Sequence, residues 1–121
     1  RVLLAEDNPV NMLVQKKILT KLGVTFDAAA DGREAVELAS ATRYDLILLD
    51  LQMPVMDGLQ AAKTLRQRGT NTWLIAVTAD VTTETRRACI ESGFNDFISK
   101  PLTVRDVAAA FERAPRVSAV A

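Results

Sequence analysis

The sequence predicts a doubly wound α/β fold, with a parallel β-sheet between two layers of helices. Short apolar runs of strand length alternate with longer stretches in which apolar residues recur at helical spacing. Strands and helices that alternate in this way form right-handed β-α-β units, and such units build a parallel sheet. The central runs are almost continuously apolar, which is typical of strands covered by helices on both faces.

The elements follow one another in a regular order. Apolar runs predict strands at 2–5, 26–30, 46–49, 73–77 and 97–98. Stretches of helical period lie between and after them, at about 10–23, 32–42, 58–68, 83–92 and 104–113. We therefore assign residues 1–113 to one folded domain. The weakly patterned residues 114–121 are interpreted as a tail or linker.

Residues with capping preferences mark the helix ends. Gly23 and Gly93 stand where the first and fourth helices should close in a left-handed conformation. Asp31 is suited to open the second helix, Asp57 the third and Thr103 the fifth, because their side-chain oxygens can accept from free backbone N–H groups.

Composition excludes several classes of function. The chain has 121 residues, the size of one domain, and at 49% hydrophobic residues it is too apolar to be disordered. No apolar run approaches the ~20 residues that a membrane span needs, so we expect a soluble domain without direct membrane contact. Fifteen basic residues balance fifteen acidic ones, which gives no electrostatic reason to bind nucleic acid.

Histidine and cysteine counts narrow the chemistry further. The sequence contains no histidine, which excludes a Ser-His-Asp triad, a His-ligated zinc site and a phosphohistidine on this chain. Cys89 is the single cysteine, so no internal disulfide can form. This pattern favours a reducing compartment, and we expect a cytoplasmic location.

Polar side chains follow four of the predicted strands. Glu6 and Asp7 come after the first strand, Asp50 after the third, Thr78 after the fourth and Lys100 after the fifth. Since the carboxyl ends of parallel strands meet at one edge of the sheet, these side chains should share one crevice.

Such a crevice is suited to phosphoryl transfer. Three neighbouring carboxylates repel one another unless a positive charge lies between them. Mg²⁺ prefers oxygen ligands of this kind, and a lysine and a hydroxyl add fixed charge and a hydrogen-bond donor. A carboxylate can itself be the nucleophile and form an aspartyl phosphate. Asp50 is the best candidate because it ends the central apolar strand. Taken singly, each of these residues also has an ordinary structural explanation; their joint position favours a site.

At these residues the sequence resembles the receiver, or response-regulator, domain of two-component phosphorelays, over about residues 1–113. The run Asp-x-Gln-Met-Pro-x-Met-Asp-Gly is highly specific for that family. The matching stretches are Leu4 to Asn8, Asp45 to Gly58, Val77 to Ala79 and Phe97 to Pro101. The resemblance implies a flavodoxin-like (βα)5 fold with strand order 2-1-3-4-5.

The resemblance also implies a role for each acidic residue. Asp50 would accept a phosphoryl group from a phosphohistidine on a partner. Asp7 and Asp50 would bind Mg²⁺, or Mn²⁺ in its place, with the backbone carbonyl of Gln52 as a third ligand. Glu6 would act through a coordinated water. The domain would then promote only its own phosphorylation and dephosphorylation.

Three further residues would respond to the phosphoryl group. Lys100 would pair with its oxygens, and the Lys100–Pro101 peptide bond would be cis, as is usual in the family. Thr78 would move to hydrogen-bond it, and Phe97 occupies the place of a switching aromatic that turns inward on activation. Its alternative interpretation is a core aromatic. The change would spread to a face that includes Arg86, Arg87, Ile90, Phe97, Val104 and Arg105. Those arginines could equally form a solvated face.

The motif Asn8-Pro9-Val10-Asn11, together with Gln52-Met53-Pro54, is most similar to receivers attached to hybrid sensor histidine kinases. The resemblance implies a histidine kinase, a histidine phosphotransfer protein or both as partners. The expected partner surface comprises Asn8, Val10, Asn11, Val14, Gln15, Ile18, Pro101 and Leu102. The alternative is that some of these first-helix residues belong to the core.

Three other functions remain as alternatives. One is a free-standing single-domain regulator that binds a target when phosphorylated. Another is a phosphatase of the haloacid-dehalogenase type, which requires an aspartate where this chain has Gln52. A third is a degenerate receiver that only binds partners, against which the complete set of polar residues argues. The oligomeric state stays open, and a monomer is compatible with the sequence.

Overall fold

A computed structural model describes residues 1–115, in which five strands and five helices alternate along the chain. Their bounds are β1 (Val2–Ala5), α1 (Pro9–Lys21), β2 (Phe26–Ala29), α2 (Gly32–Ala41), β3 (Leu46–Asp50), α3 (Gly58–Gln67), β4 (Trp73–Thr78), α4 (Thr83–Ser92), β5 (Asp96–Ser99) and α5 (Val104–Arg113). Among these residues, no helix combines the length and the apolar character that crossing a membrane requires.

The five strands form one parallel sheet in the order β2-β1-β3-β4-β5, which confirms the predicted order. At the centre of the sheet, Ala5 of β1 pairs with Leu49 of β3. Toward the side formed by β5, Thr78 of β4 pairs with Ser99. The carboxyl ends of β1, β3, β4 and β5 therefore lie side by side, at the edge where the predicted crevice belongs.

Two apolar cores lie on opposite faces of the sheet, because successive strand residues point to opposite sides. On one face Leu3, Ile47 and Leu49 pack under α2, α3 and α4. On the other face Leu4 and Leu48 lie under α1 and α5. The three-layer, doubly wound architecture is thus the one that the apolar runs predict.

The predicted capping residues stand at the ends of the helices. Asp31 accepts a hydrogen bond from the backbone N–H of Glu34 at 2.8 Å and opens α2, while Asp57 opens α3 and Thr103 opens α5 in the same way. Gly93 ends α4 with a φ of 103°, a left-handed conformation that favours glycine.

Element boundaries differ from the predicted ones by one or two residues. β5 begins at Asp96 rather than at Phe97, because Asp96 already pairs with Ile75 of β4. α1 begins at Pro9, since Asn8 caps it by accepting from the N–H groups two and three residues later. The last helix ends at Arg113, and of the predicted tail 114–121, residues 116–121 lie outside the described part of the chain.

Trp73 and Thr78 mark the two ends of β4. Thr78 reaches the carboxyl edge, whereas Trp73 stands at the amino edge and packs partly against the core beneath α1 and α5. The indole Nε1 is the one buried side-chain polar atom without a hydrogen-bond partner in the described chain.

Candidate active site

The carboxyl ends of two neighbouring strands, β1 and β3, bring the three predicted acidic residues together. One carboxylate oxygen from each of Glu6, Asp7 and Asp50 lies within 4.8 Å of the other two. Glu6 and Asp50 are buried, and Asp7 is exposed at the mouth of the crevice. Clustered carboxylate oxygens are the ligands that Mg²⁺ prefers, so this donor set fits a hard divalent cation.

Asp50 ends β3 and is held at both carboxylate oxygens. Its Oδ1 accepts from the backbone N–H of Gln52 at 3.0 Å, and its Oδ2 accepts from Lys100 Nζ at 2.7 Å. Only 3% of the residue is exposed. A carboxylate so buried and paired is fixed in orientation.

Glu6 is even more enclosed, since its side chain has no exposed surface. The backbone N–H of Asn8 donates to its Oε2 at 3.1 Å, and Gln15 Nε2 donates to its Oε1 at 3.0 Å. Burial, followed by the neighbouring Asp50, raises the pKa of Glu6 above its ordinary value.

Lys100 supplies the positive charge of the site. Its Nζ lies 2.7 Å from Asp50 Oδ2 and 3.2 Å from Glu6 Oε1. Burial by itself would lower the pKa of Lys100, but the hydrogen bonds and charges of Asp50 and Glu6 outweigh it and raise that pKa above its ordinary value. The lysine therefore stays charged between the two acids.

Thr78 anchors the loops on the other side of the crevice. The backbone N–H of Lys100 donates to its carbonyl oxygen at 2.8 Å, and the N–H of Asp80 donates to its hydroxyl at 3.0 Å. The Lys100–Pro101 peptide bond is cis, as the family resemblance implies. Thr78 thus fixes where the lysine leaves the sheet.

The loop between β3 and α3 lies directly against the backbone of Asp50. The N–H of Gly58 donates to the carbonyl of Leu51 at 3.1 Å, and the N–H of Gly32 donates to that of Met56 at 3.1 Å. A Cβ on Gly58 would overlap the main-chain oxygen of Asp50, which explains why glycine stands at this position.

The residues of the expected switch face lie on α4, β5 and α5. Phe97 is half-buried against the core beneath α2, α3 and α4. The guanidinium of Arg86 stands over its ring, 5.4 Å from the centroid. On the same helix Ile90 is 73% exposed. Arg87 and Arg105 are exposed, and Val104 is partly so.

The expected partner surface needs a correction. Val10 and Val14 are exposed, at 70% and 44%, but Gln15 and Ile18 are buried. Ile18 packs in the core because it faces the sheet, and the Gln15 amide turns inward to the acid cluster. A cleft of about 290 Å³ between α1 and the loop after β5 is lined by Asn11, Val14, Gln15, Ala79, Lys100, Pro101 and Leu102.

Sequence reasoning therefore missed the contact between Gln15 and Glu6. The position of Gln15, three and four residues before Ile18 and Leu19, points to this contact only once the structure shows that those two residues belong to the core. A polar residue on the apolar stripe of a helix needs a buried partner.

The model of the family described as "Response regulator receiver domain" matches residues 2–112. Hybrid signal transduction histidine kinase K of Dictyostelium discoideum is 36% identical over 123 residues, which cover 94% of this chain and 10% of that protein. Two-component response regulator 24 of Arabidopsis thaliana is 40% identical, with 84% of this chain and 74% of that protein covered. The chain thus spans about a tenth of the hybrid kinase.

Two solved structures bear on the site. The receiver domain of sensor histidine kinase PA1611 from Pseudomonas aeruginosa, with magnesium coordinated in its active-site cleft, has a TM-score of 0.85 and 36% identity; 93% of this chain and 94% of that one are covered. The second is a Saccharomyces cerevisiae complex of the phosphotransfer protein Ypd1 with the receiver domain of Ssk1. Its TM-score is 0.84 at 30% identity, with 90% of this chain and 83% of that one covered.

Proposed function

The chain belongs to the family of response regulator receiver domains, and on that premise we propose that Asp50 accepts a phosphoryl group from a phosphohistidine of a partner protein. Receiver domains act in two-component signal transduction, and this domain shares that function. The observation that carries the assignment to Asp50 is its position: a buried carboxylate, 2.7 Å from a charged lysine, at the centre of an acidic crevice.

Transfer to Asp50 requires little covalent chemistry from the domain. An Asp50 oxygen forms a bond to phosphorus while the bond from phosphorus to the partner's histidine nitrogen breaks, and that nitrogen keeps the electron pair. The chain's task is to hold the acceptor in line and to neutralise the oxygens of the moving group. Lys100, already paired with Asp50, pairs with the phosphoryl oxygens after transfer.

Mg²⁺ is the proposed cofactor, with Mn²⁺ as a substitute, and it supplies positive charge to the phosphoryl oxygens when it is bound. Asp7 and Asp50 would hold it together with the backbone carbonyl of Gln52, and Glu6 would act through a water. The three clustered carboxylates support this assignment. So does the magnesium ion in the cleft of the related Pseudomonas receiver.

Thr78 and Phe97 form the proposed switch. The Thr78 hydroxyl is engaged by the N–H of Asp80, so turning it toward a phosphoryl group would break that bond and free the loop before α4. Half-buried Phe97, which pairs with Ala76 of β4, would then turn inward. The two states would differ mainly at α4, β5 and α5, including the face with Arg86, Ile90 and Arg105.

The proposed partners are a histidine kinase and a histidine phosphotransfer protein. The exposed apolar residues Val10 and Val14 of α1, with Asn11, Pro101 and Leu102 nearby, offer a partner surface beside Lys100. The yeast receiver complexed with Ypd1 supports a partner of this kind. We further propose that residues 1–113 form the receiver of a hybrid histidine kinase in the cytoplasm. The free-standing alternative is kept because the Arabidopsis regulator is matched over 74% of its length.

Intact mass measurement tests the assignment to Asp50. The protein is incubated with Mg²⁺ and phosphoramidate beside Asp50→Asn and a control, Asp106→Asn, which alters an exposed carboxylate on α5. We expect one added phosphoryl group in the parent and the control and none in Asp50→Asn. An equal gain in Asp50→Asn would contradict the proposal. The absence of a gain in a parent that is shown to bind Mg²⁺ would also contradict it, provided that an aspartyl phosphate is hydrolysed too slowly to hide the product.

A further inference from the structure

Gln15 is a polar side chain in an apolar place. It lies on α1, is 4% exposed, and precedes the core residues Ile18 and Leu19 by one helical turn. Burial of an amide costs free energy unless a hydrogen bond compensates for it. Here the compensation is specific, because Gln15 Nε2 donates to Glu6 Oε1 at 3.0 Å.

This bond completes the support of the Glu6 carboxylate. Oε2 accepts from the backbone N–H of Asn8 at 3.1 Å, and Oε1 accepts from Gln15. With a neutral donor on each oxygen, the plane of the carboxylate is fixed before any cation arrives. Neutral donors also stabilise the ionised form of a buried acid without adding charge to the site.

The same bond affects how Lys100 is shared. Lys100 Nζ is closer to Asp50 Oδ2, at 2.7 Å, than to Glu6 Oε1, at 3.2 Å. Without the Gln15 amide, Glu6 Oε1 would depend on the lysine alone. The lysine would then be drawn toward Glu6 and away from Asp50, and the geometry of both carboxylates would change.

We infer that Gln15 is a positioning residue of the cation site, which acts through Glu6 to hold the acidic crevice ready for Mg²⁺. The inference rests on the proposed function, since it concerns the same site. It also connects α1, the proposed docking helix, with the acids, because Gln15 and exposed Val14 are adjacent in sequence and both line the cleft beside Lys100.

Substitution of Gln15 by methionine tests this role. Methionine has a similar length and suits the apolar surroundings, but it has no donor for Glu6. In Mg²⁺ titrations followed by amide NMR, we expect the half-saturating concentration to rise on the order of ten-fold. The matched control is Gln60→Met, the same change at an exposed position of α3, which should leave half-saturation unchanged.

A double-mutant cycle separates positioning from a merely structural effect. Glu6→Gln removes the group through which Gln15 acts, so adding Gln15→Met to that background should change half-saturation by less than about two-fold. An equal loss in both backgrounds would overturn the inference, and so would unchanged Mg²⁺ binding in Gln15→Met. If the methionine variant does not fold, Gln15→Leu carries the same expectations.

The outcome is distinguishable from that of the proposed function. A parent that binds Mg²⁺ but never gains a phosphoryl group contradicts the role of Asp50 and leaves the Gln15 titration to be judged by itself. A parent that is phosphorylated, with a Gln15→Met variant that binds Mg²⁺ as well as the parent does, refutes only the role of Gln15. A parent that does not bind Mg²⁺ overturns both.

Discussion

Lys100 carries the charge balance of the acidic crevice. Its ammonium group lies against two buried carboxylates, those of Asp50 and Glu6, while its own side chain is 21% exposed. Removing the cation leaves both acids buried without a charged partner, which is far more costly than losing an ion pair at the surface.

We therefore expect Lys100→Met to lower the free energy of unfolding by about 3 kcal/mol at neutral pH without Mg²⁺. Urea denaturation followed by circular dichroism would measure it. Added Mg²⁺ should recover part of the loss, because a cation that binds only the folded state stabilises it. Lys63→Met, at an exposed position of α3, should change stability by less than about 0.5 kcal/mol. Similar losses in the two variants would show that the lysine is not buried against the acids.

Asp27 makes the stability of the folded protein depend on pH in the acid range. Its Oδ2 accepts from the Tyr44 hydroxyl at 2.7 Å, and the Arg1 guanidinium lies 2.9 Å away. The Tyr44 hydrogen bond, followed by that of Arg1, lowers the pKa of Asp27 below its ordinary value of 3.8. A depressed pKa contributes stability that is present above the ordinary pKa and is lost as pH falls through the folded-state value.

Asp27→Asn should therefore flatten part of the decline in stability below about pH 4, while Tyr44→Phe should do so to a smaller extent. Thermal unfolding across the acid range would measure the slopes. A variant slope as steep as that of the parent would mean that other carboxylates account for the whole decline.

Single residues also show where sequence reasoning stops. Glu6, Asp7, Asp50, Thr78 and Lys100 could be placed in one crevice because each ends or follows a strand. Gln15 and Ile18 could not be placed, since α1 carries apolar residues on more than one side and its period alone does not say which side meets the sheet.

At the scale of whole elements, Arg66 joins the end of α3 to the turn between α4 and β5. Its guanidinium donates to the carbonyls of Thr70, Thr72 and Gly93 and to Asn95 Oδ1, at 2.7 to 3.0 Å. One side chain thus serves as the hydrogen-bond partner of two loops. The α4–β5 turn is held at its base, away from the crevice.

Arg66→Met should lower the free energy of unfolding by roughly 2–3 kcal/mol, because several partly buried oxygens lose a charged donor at once. The measurement is urea denaturation, with Arg68→Met as the control. Arg68 is exposed and its one side-chain hydrogen bond runs to Ser40, so its loss should cost little. Equal stability of the two variants would contradict the role given to Arg66.

Elements with strong apolar runs were predictable, and those ended by tertiary contacts were less so. Capping residues such as Asp31 and Asp57 mark helix starts because their partners are local. The start of β5 at Asp96 depends on its pairing with Ile75 of β4, a residue far from it along the chain. Likewise, the Arg66 contacts reach 27 and 29 residues along the chain, and no local pattern encodes such distances.

At the scale of the whole molecule, the parallel sheet makes the site predictable, because it brings polar residues from distant parts of the chain to one edge. Strand order β2-β1-β3-β4-β5 places the four polar-ended strands next to one another, and β2 lies outside them. Topology thus fixes the neighbourhood of Asp7, Asp50 and Lys100. The finer contacts, such as the sharing of Lys100 between two acids, depend on side-chain packing that strand order does not specify.

The position of Trp73 has a practical consequence for spectroscopy. It is the only tryptophan in the chain, and Thr78 lies five positions further along the extended strand, roughly 17 Å away. Its emission should respond strongly to urea, since unfolding exposes the indole, and stay constant when Mg²⁺ is added. Intrinsic fluorescence will therefore report whether this protein is folded and will not detect Mg²⁺ binding.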